Sequence, residues 1–295
     1  MTVNIFVPME FSSSLNEWIN SVVETHGNFL HSVSAVLLKN LLLPIEKLFT
    51  GSPPFLIISL IGLIAFLGSR KWMLSIGFML SIYFIGCLGL WEKTMQTLAL
   101  MGSSLILTIV IGIPIGILMA SNKQVSKIAT PILDVMQTFP LFVYMLPAVM
   151  LFSIGKVPAV MATVIYSIPP LIRLTELGIR EVNHEIQEAA KSFGASYWQL
   201  LRWVNLPLAR PAIMTGINQA TMMALAMTVV ASMIGANGLG EDILGGLTNL
   251  DFGKGAAAGV AVVILAIVID RITQSFGQSA RAKRTRVMGA AGGQK

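Results

Sequence analysis

Cutting the chain at every Asp, Glu, Lys and Arg leaves seven long uncharged runs: Leu48–Ser69, Trp72–Trp91, Thr94–Asn122, Val135–Gly155, Val157–Ile172, Pro211–Gly240 and Gly255–Ile269. A bilayer core about 30 Å thick needs about 20 apolar residues per helix, so the pattern predicts an all-α membrane protein with about seven transmembrane helices in residues 48–272. The fifth and seventh runs are short and must borrow residues from their flanks. Trp72 and Trp91 bracket the second, where an aromatic belt would put them. Ahead of these runs, Ser14 and Glu17 have capping-box spacing, and Leu15, Trp18, Ile19, Val22 and Val23 share one helical face up to a stop at Gly27. Residues 1–47 therefore read as an amphipathic arm on the outer membrane surface, with a second interfacial piece from Ser34 to Leu43 broken by Pro44. The alternative is a loose arm. A basic n-region leading into an apolar core is missing, so the arm does not read as a secretory signal.

Charge fixes the orientation. Of the 20 lysines and arginines, 15 fall on one side of the predicted spans, and only Lys39, Lys47, Lys93, Lys156 and Lys254 fall on the other. The basic side is the cytoplasmic one, which puts the C-terminus inside and, with seven spans, the N-terminus outside. Residues 273–295 are Gly, Ala and basic residues with no apolar face, and read as an irregular cytoplasmic tail near anionic lipid. Composition agrees: 55% of residues are hydrophobic and 12% charged, too apolar for an average soluble enzyme. A nucleic-acid partner needs a basic face on a soluble domain, which this pattern lacks. The single cysteine, Cys87, excludes a disulfide framework and a CxxC site, and no metal ligand set is expected.

One inner loop is long. Residues 173–210 carry five basic residues and the acidic Glu176, Glu181, Glu185 and Glu188. They read as two short helices. The first stops at Gly194, and the second starts on a Ser196–Gln199 capping box and ends before Pro207. Phe193, Tyr197 and Leu201 recur at helical spacing and are expected to pack the two pieces together. Such a hairpin transmits force only if something outside the membrane holds it.

These residues carry a resemblance. Glu188-Ala189-Ala190, Gly194 six residues after Glu188, and Val204-Asn205-Leu206-Pro207 resemble the EAA signature of ABC importer permeases, with Val204 where isoleucine is usual. From about Gln137 to Gln274 the chain is similar to permeases for glycine betaine, choline and proline betaine. The matching stretches are Gln137-Thr-Phe-Pro140 with Tyr144 and Pro147, Ile165-Tyr-Ser-Ile-Pro-Pro170, Arg173 to Arg180, Asn218-Gln219, Met222 to Leu225, Met233-Ile-Gly235 and Asp270-Arg271. One departure is Asn237, where glycine is expected; Asn tolerates a left-handed backbone.

The resemblance implies a type I ABC importer permease in a bacterial inner membrane, working as a homodimer with two ATPase subunits and a periplasmic substrate-binding protein. Glu185, Glu188, Ala189, Ala190, Gly194, Leu206 and Pro207 would make the coupling contact, with Glu188 either pairing with an ATPase arginine or capping its own helix. The cargo would be a quaternary amine; another small solute, such as trimethylamine N-oxide or an amino acid, is the alternative, followed by an ion-coupled carrier. The chain has no G-x-x-x-x-G-K-[ST] loop, so ATP and magnesium belong to a partner, and no catalytic residue is expected here. The uncharged runs by construction hold no ionisable group at mid-membrane; Asp134, Arg173 and Asp270 sit at span ends, which disfavours proton coupling.

Pathway candidates come from kinks and aromatics. Pro140, Pro147, Pro169 and Pro170 are expected to bend the fourth and fifth spans, or to be absorbed by packing. Phe139, Tyr144 and Tyr166 are candidate aromatics, too dispersed in sequence to define a cation-binding box. Asn218 and Met222 enter through the resemblance. Gly235, Gly238 and Gly240 mark a re-entrant turn, an outer gate or a plain loop. Gly112, Pro114 and Gly116 predict close helix packing.

Overall fold

A computed structural model describes residues 11–292, and every regular element among them is helical. In chain order these are α1 (Phe11–Leu37), α2 (Leu43–Gly51), α3 (Pro54–Ser69), α4 (Trp72–Cys87), α5 (Trp91–Ser121), α6 (Lys123–Thr138), α7 (Leu141–Phe152), α8 (Lys156–Arg180), α9 (His184–Ser192), α10 (Tyr197–Gln199), α11 (Leu206–Ala231), α12 (Leu239–Thr248) and α13 (Phe252–Gly292). Wide π turns at Leu38–Leu42, Leu200–Asn205 and Ser232–Ala236 join α1 to α2, α10 to α11, and α11 to the turn before α12. Five helices are long and apolar enough to cross a membrane, and a bent pair makes a sixth; α3 and α4 are shorter apolar helices. At 16 residues each, α3 and α4 reach about 24 Å, a little less than the hydrocarbon core.

The helices follow the uncharged runs, with differences that have local causes. The run Val135–Gly155 is not one helix: α6 and α7 meet at 102°. Pro140 has no N–H to continue the ladder, and it forces Phe139 out of the helical region to ψ 137°. The run Val157–Ile172 extends to Arg180, because the charges added are neutralised within the fold. Arg173 pairs with Asp134, and Arg180 pairs with Glu176 at 3.0 Å. Pro169 and Pro170 do not break α8, and both are buried.

The N-terminal segment differs most from the expected helix boundaries. Helix already runs at Phe11, so Ser14 lies inside it rather than at its start, and it passes through Gly27 without stopping. Pro44 does not break the chain's course either: the π turn at Leu38–Leu42 leads straight into α2, with the Leu43 N–H donating to the Leu38 carbonyl. Residues Val23–Gly51 together are long and apolar enough to cross a membrane. The side chains of the proposed amphipathic face lie outside the described residues, save Val23. The basic tail is helical too: α13 continues past Gln274 to Gly292. Its alanines and basic residues are good helix formers, which composition without an apolar face does not forbid.

At the centre stands α8, buried over most of its length between α5 and α11. Small residues make this possible. A Cβ at Gly116 of α5 would lie 2.6 Å from the Thr175 Cβ and 2.8 Å from the Ile172 carbonyl oxygen of α8, and one at Gly112 would lie 3.0 Å from Leu171 Cδ2. In lipid, where apolar surface gains nothing by pairing, close backbone approach and dispersion hold helices together. A buried Thr108–Ser167 hydroxyl contact at 3.0 Å adds to the α5–α8 seam. Around the cytoplasmic ends, α11 and α13 are joined by Asp270, which accepts from Asn218 Nδ2 at 3.3 Å and from Gln274 Nε2 at 2.7 Å.

Candidate functional site: the cytoplasmic hairpin and the outer turns

The hairpin is built by three capping devices. Asn183 opens α9, its side-chain oxygen accepting from the Glu185 N–H at 2.9 Å. Gly194 closes it at φ +81°, its N–H donating to the Lys191 carbonyl at 2.8 Å, while the Ala195 N–H donates to Ala190 at 3.1 Å. Ser196 then restarts the chain with a complete capping box: the Gln199 side chain accepts from the Ser196 N–H at 2.8 Å, and Ser196 Oγ accepts from the Gln199 N–H at 3.4 Å. No residue of α9 is buried. Glu185, Glu188 and Ala189 are exposed and Ala190 is half-buried, so the helix offers nearly its whole surface to something outside this chain. Glu188 faces His184 at 3.1 Å, one turn back on the same helix.

Two expectations for this hairpin fail. Phe193 does not pack the two pieces together, for 93% of it is exposed; Leu201 is buried as expected, and Leu200 joins it. Tyr197 reaches the end of α5, its hydroxyl 2.5 Å from Ser121 Oγ. Nor does the second piece end at Pro207. The helix runs unbroken from Tyr197 to Ala231, with Leu206 and Pro207 in the first turn of α11. The π turn at Leu200–Asn205 carries the chain into α11, with the Leu206 N–H donating to the Leu201 carbonyl.

The hairpin is anchored by a polar network that the sequence did not single out. Glu176, nine-tenths buried, accepts from Ser126 Oγ of α6 at 2.6 Å and pairs with Arg180, which also donates to the Met119 carbonyl of α5 at 3.0 Å. One carboxylate thus ties α5, α6 and α8 just above the hairpin. Its only sequence signal is the i,i+4 spacing of Glu176 and Arg180.

The pathway candidates divide into two groups. At the α6–α7 elbow, Phe139, Tyr144 and Tyr166 come together, with ring centroids 6.2 and 5.8 Å apart. Tyr144 is buried and its hydroxyl donates to the Met136 carbonyl; Phe139 is exposed. Pro147 lies within α7, which continues through it. At the outer end of α11, Gly235 (φ +96°), Asn237 (φ +59°) and Gly238 (φ +124°) form a tight turn into α12. Gly240 admits no side chain: a Cβ would lie 1.9 Å from the Val229 carbonyl oxygen. The turn is held by Thr97 Oγ1, which accepts from the Leu239 N–H at 3.0 Å. Asn218 belongs to neither group, being engaged by Asp270 and Thr273, and Met222 is half-buried one turn further along α11. Outer lysines meet acids here: Lys93 pairs with Glu241 at 2.7 Å, and Lys254 with Asp242 at 3.3 Å.

A multi-pass helical core with no nucleotide loop, an exposed cytoplasmic hairpin and a strained outer turn define the membrane subunit of a transporter. A family model described as "Binding-protein-dependent transport system inner membrane component" matches residues 112–282, and this chain belongs to that family. It is 43% identical over 275 residues to the glycine betaine/proline betaine transport system permease protein ProW of Escherichia coli, covering 92% of this chain and 77% of that one. It is 42% identical over 274 residues to the glycine betaine/carnitine transport permease protein GbuB of Listeria monocytogenes, covering 91% and 97%. Its fold is similar to the inward-facing MetNI methionine ABC transporter, with TM-score 0.58 at 21% identity over 65% of this chain and 95% of that one. The chain is thus a multi-pass inner-membrane permease of an ABC importer rather than an enzyme; ATP is hydrolysed by a separate chain.

Proposed function

We propose that this permease carries betaine-type quaternary amines, and that two copies pair to form the pathway with one ATPase docked on each hairpin. The observation that carries the coupling role is α9: a capped helix with no buried residue, bearing Glu185, Glu188, Ala189 and Ala190 and ending at Gly194. A helix that buries nothing gains little stability from its own fold, so its order is useful to a partner. Small residues at 189 and 190 let another backbone approach. Above it, Glu176 and Arg180 join the hairpin to α5 and α6, and unbroken helix joins it to the outer turn through α11. Closure of the ATPases on ATP would pull the hairpins together and open the cavity outward toward a loaded binding protein; hydrolysis would reset it. The names of the relatives support the cargo.

The test is reconstitution with the cognate ATPase and binding protein in liposomes. ATP-dependent uptake of labelled glycine betaine, competed by proline betaine or choline, is expected, and it persists when ion gradients are collapsed. Uptake that needs no nucleotide, or competition by trimethylamine N-oxide or amino acids alone, overturns the reading.

A further inference from the structure

The N-terminal helix, outside the residues matched by the family model, is fastened to the outer end of the transport core at one charged point. Glu46 of α2 takes two short contacts from Lys156 Nζ at the start of α8, 2.5 and 2.7 Å, and both side chains are largely buried, 15% and 23% exposed. Glu46, Lys156, Leu42, Gln96, Ala99 and Ala236 line one small cleft. Gln96 Oε1 is buried there with no hydrogen-bond partner. Leu42 is 3% exposed and belongs to the same apolar cluster as Val160 of α8 and Ala236 of the outer turn.

Lys156 stands beside strained backbone. Ser153 (φ +64°, ψ 173°) and Gly155 (φ +151°) form the α7–α8 turn, and Asn237 (φ +59°, ψ 160°) lies in the turn before α12. Ser153 and Asn237 occupy a region suited almost only to glycine, at a cost of about 1–3 kcal/mol each. The two turns touch: a Cβ at Gly235 would lie 2.8 Å from Ile154 Cγ2. Strained turns persist only where their surroundings hold them, and the segment that reaches both is the π turn with the start of α2, through Leu42 and Glu46.

We propose that Glu46 and Lys156 are positioning residues of the transport cycle. The pair holds the α7–α8 turn and the Ser232–Gly238 turn together while the outer side is closed, and the two side chains part when it opens to cargo. A buried ion pair suits this role better than an apolar contact. Its strength depends on water being excluded: once water enters the cleft both charges are solvated, so separation costs far less than loss of one partner in the closed state. The inference rests on the chain working as an alternating-access importer.

The test uses the reconstituted complex with Cys87, the chain's one cysteine, replaced by serine. Glu46→Cys and Lys156→Cys are introduced together and bridged by a reducible bis-methanethiosulfonate linker of the length of the ion pair. Bridging is expected to lower ATP-driven uptake at least tenfold, with recovery on reduction, while ATPase association is unchanged. Uptake within twofold of the unbridged complex overturns the proposal, because a static clamp tolerates a bridge; so does failure of the two cysteines to bridge. No uptake by the unbridged C87S complex before cysteines are introduced would count against the importer reading instead. As a second arm, Glu46→Lys is expected to lower uptake about tenfold and the pair Glu46→Lys with Lys156→Glu to restore it to within threefold. A double exchange no better than the single also overturns the proposal.

Discussion

Gly194 offers a perturbation whose effect is confined to the hairpin. At φ +81° it occupies the left-handed region, and nothing lies within 4 Å of where a Cβ would point. Alanine therefore meets no clash and pays only the backbone cost of an L residue there, about 1–2 kcal/mol. Asparagine tolerates that region better and pays less. Proline cannot reach a positive φ and also removes the N–H that donates to Lys191 at 2.8 Å, costing about 3 kcal/mol or more. None of these positions contributes buried surface, so the membrane core keeps its stability. The cost appears as a smaller population of hairpin in docking form, and apparent affinity for the ATPase falls by that fraction. About 1.4 kcal/mol per tenfold puts Gly194→Ala at roughly 5–30-fold weaker capture, Gly194→Asn closer to wild type, and Gly194→Pro beyond 100-fold. The assay is titration of the ATPase onto detergent-solubilised permease, alongside uptake in liposomes. Gly194→Pro should insert normally but uncouple ATP hydrolysis from uptake. Equal capture by all three variants, or normal uptake by the proline variant, refutes the reasoning.

Other outcomes follow from the same geometry. Phe193→Ala removes a 93% exposed ring that packs on nothing in this chain, so thermal stability should hold while ATPase capture drops by about 2 kcal/mol, roughly 30-fold, if the ring is an interface anchor. Unchanged capture in the same titration would place the ring elsewhere. Gly116→Val forces a side chain to within 2.6 Å of Thr175 Cβ and should destabilise the α5–α8 seam by about 1–3 kcal/mol, seen as a lower detergent melting temperature. Adding Thr175→Ala should rescue it only in part, because it removes Cγ2 but keeps the Cβ at 2.6 Å, and the Ile172 carbonyl still lies 2.8 Å away. Ser126→Ala removes a donor to the buried Glu176 carboxylate and should cost about 1.5–3 kcal/mol in the same melting assay, an effect that Glu176→Gln should reduce.

Much of this architecture was legible because single residues dictate it. The hairpin's turns follow from Gly194, Ser196 and Gln199, whose local hydrogen bonds need no tertiary help. The spans follow from uncharged runs, since lipid penalises charge directly. What was not legible depends on partners distant in sequence. Charges at Arg173, Glu176 and Arg180 marked the end of a run, yet α8 carries them because Asp134 and Ser126 wait across a gap of decades of residues. Phe193 and Leu201 have the same apolar spacing, yet Phe193 sits beside the Gly194 turn and is exposed while Leu200 and Leu201, in the π turn, are buried. The aromatic trio at the elbow is scattered over 28 positions and meets because the chain bends at Pro140 and turns back at Ser153–Gly155. Gly27 read as a helix stop, yet glycine in an apolar helix is only a weak breaker.

The unbroken run from Tyr197 to Ala231 has a mechanical consequence. Helix is continuous between the cytoplasmic elbow and the glycine-bearing turn at the far face, and beyond the π turn at Leu200–Asn205 and Pro211 the segment behaves as a stiff rod. A displacement imposed at one end arrives at the other with little lost to compliance along the way, guided by α8, on which α11 packs. Slack added to that rod, such as a glycine pair near Thr221, would let the motor turn over while the far side stays shut.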